Sequence, residues 1–299
     1  MRFMLLLKSD LRTEAGASPS EALLTAMGQY NEELVKAGVL LTAEGLLPSS
    51  RGFRLLNHAG ELTCINGPFG EPGKLLAGFW LIQVKSKAEA IEWAKRVPFE
   101  AVEPGTLAAG NGQVEIRQVH ELEDFPVTED ESGWREEEAE FRARGGNSGA
   151  EAAAPSDGRQ LRYMMMFKAD QKTETGALPD PQMLAEMGGL MGEMARQGVL
   201  LGGEGLQPSS MGARVTFSAG KRTVTDGPFA ETKELICGYC MVQVSSVEEV
   251  HSWARRGLLI HGDGESEIRR VYVAADFGPE FTPELRATEE RLRETIGSR

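Results

Sequence analysis

The alternation of apolar and polar positions predicts the same series of elements twice along the chain. Each series opens with a short apolar run that is typical of a strand, and apolar residues spaced by three and four then predict an amphipathic helix. Two short runs predict a hairpin, a longer apolar run predicts a buried strand, and a second helix and a closing strand follow. The predicted strands outside the hairpins are Arg2–Lys8, Val39–Thr42, Leu75–Val84 and Val114–Arg117 in the first series, and Arg162–Lys168, Val199–Leu201, Leu235–Val244 and Glu267–Arg269 in the second.

Residues that cap helices and turn hairpins mark the ends of these elements. Gly38 and Gly198 follow the first helices and suit the left-handed conformation that ends many helices. Ser86 and Ser246, each followed three residues later by Glu, form capping boxes that open the second helices. The hairpin turns fall at Ala59-Gly60, between Phe53–Leu56 and Leu62–Ile65, and at Ala219-Gly220, between Arg214–Phe217 and Thr223–Thr225.

The two series are copies of one sequence. Residues 2–96 align with residues 162–256 without a gap, and Gly38–Leu41 returns as Gly198–Leu201. A repeat of this length indicates two fused copies of a small domain, each able to bury a core. The order β-α-β-β-α-β with an extra hairpin predicts an α+β fold of two ferredoxin-like repeats. Each four-stranded sheet has helices on one face, so we expect the bare faces to pack sheet-to-sheet as an intramolecular pseudo-dimer.

The copies, a linker and a tail divide the chain. Copy one covers residues 1–127, copy two covers residues 161–281, the linker covers residues 128–160 and the tail covers residues 282–299. The linker is acidic and rich in Gly and Ala; Ser132–Arg144 is compatible with a helix, and Asn147–Gly158 is small and polar, as in mobile linkers. Thr282–Ile296 predicts a C-terminal helix with Thr282 as its N-cap. Each trailing helix either covers its own domain or docks on the other copy or on another protein.

Composition and charge narrow the class of protein. Hydrophobic residues make up 41% and charged residues 26% of the chain, as in an ordinary globular protein. The net charge is −13 and no basic face stands out, so we expect no nucleic-acid partner. No apolar run approaches the ~20 residues of a membrane span, and the N-terminus does not resemble a signal peptide. With three cysteines, this favours a cytoplasmic location.

Copy two contains a stretch that resembles a known family. Val224–Glu234, with the sequence VTDGPFAETKE, and the following Gly238-Tyr239 resemble the signature of the DGPF branch of the YCII-related proteins. Further matching positions are Glu248-Glu249, Trp253-Ala254 and Glu267–Arg269. The resemblance extends over nearly all of both copies. Copy one departs from the signature, because Asn66 replaces the Asp and Glu71–Lys74 replaces Glu-Thr-Lys-Glu.

This resemblance implies a dimeric α/β-barrel assembly of ferredoxin-like units. It implies little about chemistry, because most members of the family have no assigned reaction. Some more distant YCII-related proteins are lyases that act on chlorinated hydroxyquinones, for which a His–Asp pair is proposed. Some DGPF proteins are similar to ones encoded beside alternative sigma factors, which implies regulation. A shared fold does not decide between these activities.

Asp226 is the candidate catalytic residue. A carboxylate at the mouth of a sheet can act as a general base or hold a cationic group of a ligand. The alternative is a structural turn, because Asp-Gly and Asn-Gly both supply the positive φ values of tight hairpin turns. Copy one has Asn66 at the equivalent position, which a turn tolerates and a catalytic base does not. The motif is therefore either structural in both copies or active in copy two alone.

Six further residues of copy two are candidates for ligand binding. They are Lys168, Asp170, Glu204, Arg214, Glu231 and Lys233. The first four have the same residue type in copy one. Glu204 follows an apolar strand and Arg214 starts the next, so the two can line a cleft for an anionic or hydroxylated small molecule, or form a structural ion pair. Glu231 and Lys233 lie just beyond the DGPF motif, where a solvated salt pair is the alternative.

The histidines and cysteines predict no metal site, and no motif predicts a cofactor. His58, His120, His251 and His261 lack the spacing that brings ligands together. Cys237 and Cys240 have C-x-x-C spacing but fall inside a core strand, where residues three apart point to opposite faces, so we interpret both as packing residues. Gly203-Glu204-Gly205 lacks the third glycine of a dinucleotide-binding fingerprint.

Three functional hypotheses remain. The chain binds a small molecule or regulates another protein, using clefts between sheet and helices; or it is a lyase- or isomerase-type enzyme that uses acid–base chemistry in the copy-two cleft; or it is a protein-interaction module that uses its trailing helices. The expected partners are a small-molecule ligand, a regulatory protein or further copies of the chain, and neither a membrane nor nucleic acid. A single working site is expected in copy two.

Overall fold

Two six-stranded antiparallel sheets with helices on their outer faces form the protein. A computed structural model describes residues 1–102, 111–125, 139 and 161–297. The strands are β1 Arg2–Lys8, β2 Leu40–Gly45, β3 Phe53–His58, β4 Glu61–Asn66, β5 Leu76–Gln83, β6 Asn111–Gln118, β7 Leu161–Lys168, β8 Leu200–Gly205, β9 Ala213–Ser218, β10 Lys221–Asp226, β11 Ile236–Val244 and β12 Gly264–Arg270. The helices are α1 Leu11–Glu14, α2 Glu21–Lys36, α3 Lys87–Ala94, α4 Gln171–Glu174, α5 Pro181–Arg196, α6 Val247–His261 and α7 Pro283–Gly297.

The helix ends follow the local signals in the sequence. Ser86 and Ser246 accept hydrogen bonds from the third helical N–H, as the capping boxes predict. The second helices differ in length: α3 ends at Ala94, whereas α6 continues to His261. Pro98 follows shortly after α3, and Leu258 occupies the equivalent position within α6. Because proline cannot continue a helix, α3 ends before Pro98, whereas Leu258 allows α6 to continue by further turns.

The hairpins are exchanged between the copies. The first sheet has the strand order β10-β9-β6-β1-β5-β2, and the second has the order β4-β3-β12-β7-β11-β8. Hairpin β9–β10 of copy two therefore extends the copy-one sheet by pairing β9 with β6, and hairpin β3–β4 of copy one pairs with β12 of copy two. The four-stranded sheet predicted for each copy is present, as β6-β1-β5-β2 and β12-β7-β11-β8, and the extra hairpin, whose partner strand was not predicted, is added to it from the other copy.

The link between β2 and β3 explains the exchange. β2 and β6 occupy opposite edges of the four strands of copy one, three strand spacings of roughly 4.8 Å apart. Directly after β2, Leu46 pairs with Val271 at the end of β12, and Leu47 N–H donates to the carbonyl of Arg270. The chain is thus already beside the other sheet when β3 begins. Val119 and Leu206 form the equivalent bridge for copy two.

Besides a small cluster of Ala169, Phe229 and Leu235, three large apolar clusters form the core. One lies between the two sheets and is built from alternate residues of both, including Met4, Leu6, Met164 and Met166. The other two lie between each sheet and its helices, and each includes strand residues of an exchanged hairpin, such as Val215 in the first sheet. Two ferredoxin-like repeats packed sheet-to-sheet are thereby confirmed. Closure of the two sheets into a complete α/β-barrel stays a prediction.

The C-terminal helix α7 packs on copy one. Ile296 and Leu292 join the core cluster of copy one, against α2 and β2. Arg293 donates to the buried carboxylate of Glu44 on β2 at 3.3 Å. Of the three predicted placements for this trailing helix, docking on the other copy is the one observed. The helix predicted over Ser132–Arg144 and the rest of the linker, residues 128–160, lie outside the described residues, apart from Ala139. Within the described ranges, no helix is both long and apolar enough to cross a membrane.

Candidate functional site

The DGPF motif forms a turn that leaves no room for a side chain at its glycine. A Cβ atom on Gly227 would lie 1.9 Å from the carbonyl oxygen of Ser209, and one on Gly67 would lie 1.9 Å from that of Ser49. Both glycines precede a proline in a cis peptide bond, and neither has a positive φ. The interpretation of Asp-Gly as a positive-φ hairpin turn is therefore wrong, because glycine is required here for close backbone approach.

The phenylalanine of the motif is held by the same serine. The Phe229 N–H donates to Ser209 Oγ at 3.1 Å, and the guanidinium of Arg214 lies 3.9 Å from the centre of the buried Phe229 ring. Asp226, by contrast, is the last residue of β10; its side chain is 73% exposed and pairs with Lys87 Nζ at 2.7 Å. The candidate base is thus a surface carboxylate, whereas Phe229 of the same motif is buried.

Lys168 belongs to a buried ion cluster around Glu267, named here the Glu267 cluster. The Glu267 carboxylate lies 3.3 Å from Lys168 Nζ, 2.7 Å from an Arg54 nitrogen and 3.1 Å from an Arg269 nitrogen. Burial by itself would raise the pKa of Glu267, but Lys168, Arg269 and Arg54 outweigh burial and lower that pKa to about 2. The carboxylate is therefore ionised near neutral pH, and so low a pKa makes it a weak base, poorly suited to abstract a proton from a substrate.

Arg214 belongs to the equivalent cluster of the other sheet, named here the Glu115 cluster. Glu115 lies 3.0 Å from Arg214, 3.2 Å from Arg117 and 3.9 Å from Lys8. Burial opposes ionisation of Glu115, yet the three cations hold its pKa below the ordinary value. The half-exposed Glu231 pairs with Arg214 at 3.2 Å on the outer side. Each cluster joins residues of both copies, because Arg54 of the first cluster and Arg214 of the second come from the exchanged hairpins.

The remaining predicted ligand residues lie elsewhere. The Asp170 side chain accepts from Thr173 N–H at 2.7 Å and caps α4. Glu204 is buried and forms an ion pair with Arg2 of copy one. Lys233 is exposed in the turn after the DGPF motif. The structure therefore does not bring Glu204 and Arg214 together, because their partners belong to different ion-pair clusters.

A cavity of about 250 Å³ lies in copy two, between α5 and the outer face of β8 and β11. One wall is a stripe of three methionines on α5, Met183, Met187 and Met191, and Gly192 of the same helix also lines the cavity. The sheet contributes Gly203 and Tyr239, among others. A water molecule needs only roughly 10–15 Å³ of such space, so the cavity has room for a small organic molecule.

The same face of copy one is covered. Asn31, Leu40 and Ala43, which correspond to Met191, Leu200 and Gly203, line a cavity of only about 20 Å³ beneath α7. Leu292 and Ile296 of α7 occupy the adjoining space. The two copies therefore differ most in the space above the outer face of their sheets.

The titratable groups at one end of the cavity are uncharged at neutral pH. Burial lowers the pKa of His261, although Asp170 partly opposes this shift, and burial likewise lowers the pKa of His120. Burial raises the pKa of the Cys237 thiol to about 12. The Cys237 Sγ lies 3.5 Å from His261 Nε2, so a neutral thiol and a neutral imidazole stand side by side. The thiol is not activated as a nucleophile.

Cys237 and Cys240 lie on the same face of β11, contrary to the expectation from their spacing. The pairing register of β11 shifts between Ile236 and Gly238, which marks a β-bulge. A bulge inserts one residue and turns the side chains before it to the other face. Both cysteines therefore contact the helix-side core cluster, and both line the cavity as free thiols.

Comparison with known proteins agrees with this architecture. A family model of the YCII-related domain matches residues 1–122 and residues 161–273. The chain belongs to the YCII-related family. Its two matched segments are the two copies, and the residues between them and the C-terminal tail lie outside the matches.

Similarity to one curated protein assigns no activity to this YCII-related chain. The chain is 42% identical over 50 residues to an uncharacterised protein of Rhizobium meliloti (strain 1021). The match covers 17% of this chain and 40% of that protein. Within the described residues of this YCII-related protein, no group of three or more His, Cys, Asp or Glu side chains is placed to hold a metal ion.

Several site residues of this YCII-related protein were not recognised in the sequence. The acids Glu115 and Glu267 alternate with apolar residues on closing strands, and this pattern indicates that they face the other side of the sheet from Ile116 and Ile268. The methionine stripe of α5 recurs every four residues, beside the core residues Leu190 and Met194. This methionine stripe, beside the core stripe, is the sequence feature that could have predicted the cavity.

Proposed function

We propose that this YCII-related protein binds a small molecule in the copy-two cavity. The observation that carries the proposal is the contrast between about 250 Å³ of space on the outer sheet face of copy two and about 20 Å³ on the same face of copy one. Pockets between sheet and helix with apolar walls and a few polar groups are typical ligand sites. Binding in turn would allow the protein to act as a regulator, with the ligand as its signal.

The flexible wall of the cavity supports this function. Met183, Met187 and Met191 are unbranched side chains that adapt to ligands of different shape. In copy one the corresponding residues are Leu23, Met27 and Asn31. The copies share a frame but differ at two of these three positions, where copy two has methionine, and this difference fits a binding site in copy two alone.

The enzyme hypothesis finds less support. Asp226 does not line the cavity, is mostly exposed and forms a surface ion pair with Lys87. The buried acids Glu115 and Glu267 are neutralised by three cations each. A lyase or isomerase acting in copy two would need a base with access to substrate, and the neutral His261 is the described group that best fits that role.

The interaction-module hypothesis also has less to support it. The apolar residues Leu292 and Ile296 of α7 are used to cover copy one. A docking partner would therefore have to displace α7 first. Further homo-oligomers, a regulatory protein partner and a cytoplasmic location, which cysteine usage favours, remain parts of the proposal.

A thermal-shift screen of small molecules tests the proposed function. A ligand present at about 100 times its Kd stabilises the native state by about 2.7 kcal/mol, which raises the melting temperature measurably. We expect such ligands to stabilise the wild type and Asp226→Asn equally, and to lose their effect in Gly192→Leu, which fills the cavity. A ligand whose effect depended on Asp226 and not on Gly192 would contradict the proposal and favour the carboxylate as the working group.

A further inference from the structure

The charge of the cavity wall restricts the ligands that it can accept. The described lining residues include no lysine or arginine. Glu204 on β8 also lines the cavity, but its side chain is fully buried in the ion pair with Arg2. The neighbouring cation, Arg2, is already paired with Glu204 and with Glu121, the latter at 2.7 Å. An anionic ligand would therefore lose its hydration without meeting a cation among the described lining residues.

The remaining lining groups are neutral and mostly apolar. His120, His261 and Cys237 are uncharged near neutral pH, as their burial requires. Aromatic rings and methionine sulfurs form much of the wall, including Phe125, Phe167 and Met187. Thioether sulfur makes favourable contacts with aromatic rings. The wall therefore resembles the apolar side of a core, with weak hydrogen-bonding groups at one end.

The helix that covers copy one shows which chemistry suits this face. Ile296 and Leu292 supply the apolar contacts there, and the charge of Glu44 is met by Arg293 and by Arg162. Apolar side chains of α7 thus suit this face in copy one, and the charged Arg293 that α7 brings there is a cation that pairs with Glu44.

We propose that the copy-two cavity takes a neutral, largely apolar aromatic ligand and rejects anionic ones. This inference rests on the small-molecule function proposed above and, of the anionic or hydroxylated ligands expected from the sequence, favours the uncharged ones. The methionine stripe packs on the rings of the ligand, while His261 offers a hydrogen bond for a hydroxyl or amine substituent.

Two fluorescent probes that differ in one charged group test the ligand class. N-phenyl-1-naphthylamine is neutral, and 1-anilinonaphthalene-8-sulfonate has the same ring system with an added sulfonate. Both are titrated into the full-length protein at neutral pH. We expect the neutral probe to bind at least about tenfold more tightly than the sulfonate, because burying an unpaired anion is unfavourable.

Two glycine variants in the same helix localise the binding. Gly192→Leu places a side chain in the cavity, whereas Gly189→Leu places it on the exposed side, where a Cβ meets nothing within 4 Å. Neither change lowers helix propensity, and circular dichroism checks that both variants fold. We expect Gly192→Leu to weaken the neutral probe by at least about tenfold, since the added side chain overlaps its site, and Gly189→Leu to leave binding unchanged.

The possible results separate the two proposals. If both probes bound equally, or the sulfonate bound more tightly, and both were lost in Gly192→Leu, the ligand class would be wrong and the small-molecule function would stand. If neither probe bound, or if Gly192→Leu had no effect on either, the cavity would not be a binding site and both proposals would fail.

Discussion

Replacing Gly227 by alanine tests whether the DGPF turn is a structural element. The added Cβ would lie 1.9 Å from the carbonyl oxygen of Ser209, whereas real Cβ contacts essentially never fall below 3.0 Å. The turn and the backbone at Ser209 must therefore separate by about 1 Å. The oxygen belongs to the backbone, and the position of a Cβ is fixed by its own backbone, so no side-chain rotation relieves the contact.

The expected cost follows from what the separation disrupts. Gly227 N–H donates to the Gly212 carbonyl at 3.3 Å, and Phe229 N–H donates to Ser209 Oγ at 3.1 Å. Each buried hydrogen bond contributes about 1 kcal/mol net, and overpacking by one methyl group costs about 1–3 kcal/mol. We therefore expect Gly227→Ala to lower the free energy of unfolding by about 3 kcal/mol.

Equilibrium urea unfolding, followed by tryptophan fluorescence, measures this effect against two controls. Gly189→Ala is the same substitution at an exposed position of helix α5, where a Cβ meets nothing within 4 Å. It should be neutral or stabilise the protein by up to about 1 kcal/mol. Asp226→Asn removes one surface ion pair and should change stability by less than about 1 kcal/mol.

Two outcomes would refute this reasoning. A Gly227→Ala protein as stable as the wild type would show that the turn does not confine its glycine. An Asp226→Asn protein as damaged as Gly227→Ala would show that the aspartate has a structural role that its exposure does not reveal.

Three further predictions follow from the clusters, the helix and the exchange. The pKa of Glu267 in the folded protein is lowered to about 2, so its ionised form stabilises the fold above pH ~4.5, and this stabilisation is lost as the pH falls towards 2. In Glu267→Gln, the fall in the free energy of unfolding between pH 7 and pH 2 should be smaller by about 3 kcal/mol, as measured by unfolding at each pH. Ile296→Asp buries a charge and should release α7, seen as lost hydrogen-exchange protection over residues 283–297 and not over α5. Cleavage at a protease site inserted within residues 147–158 should leave both halves associated on size exclusion, because each sheet contains strands of both copies; separation into monomers would contradict the exchange.

The sequence alone determined the repeated unit and most of its elements. Helical spacing, capping boxes and apolar runs are local signals, and they placed α2, α5 and the long strands correctly because short-range geometry dictates them. Comparison of the copies also placed Asn66 opposite Asp226, so that the motif was either structural in both copies or active in copy two alone.

Only the tertiary structure decided which partners these elements have. Whether β9 pairs with its own copy or with β6 depends on contacts between residues about 100 positions apart, and both pairings satisfy the same alternation of apolar residues. The ion clusters and the placement of Cys237 beside Cys240 follow from that pairing and from a bulge, neither of which has a local signature. The cavity likewise depends on what covers each sheet: α7 fills the space on copy one, while copy two has methionines and glycines facing open space, and that difference exists only after the chain has folded.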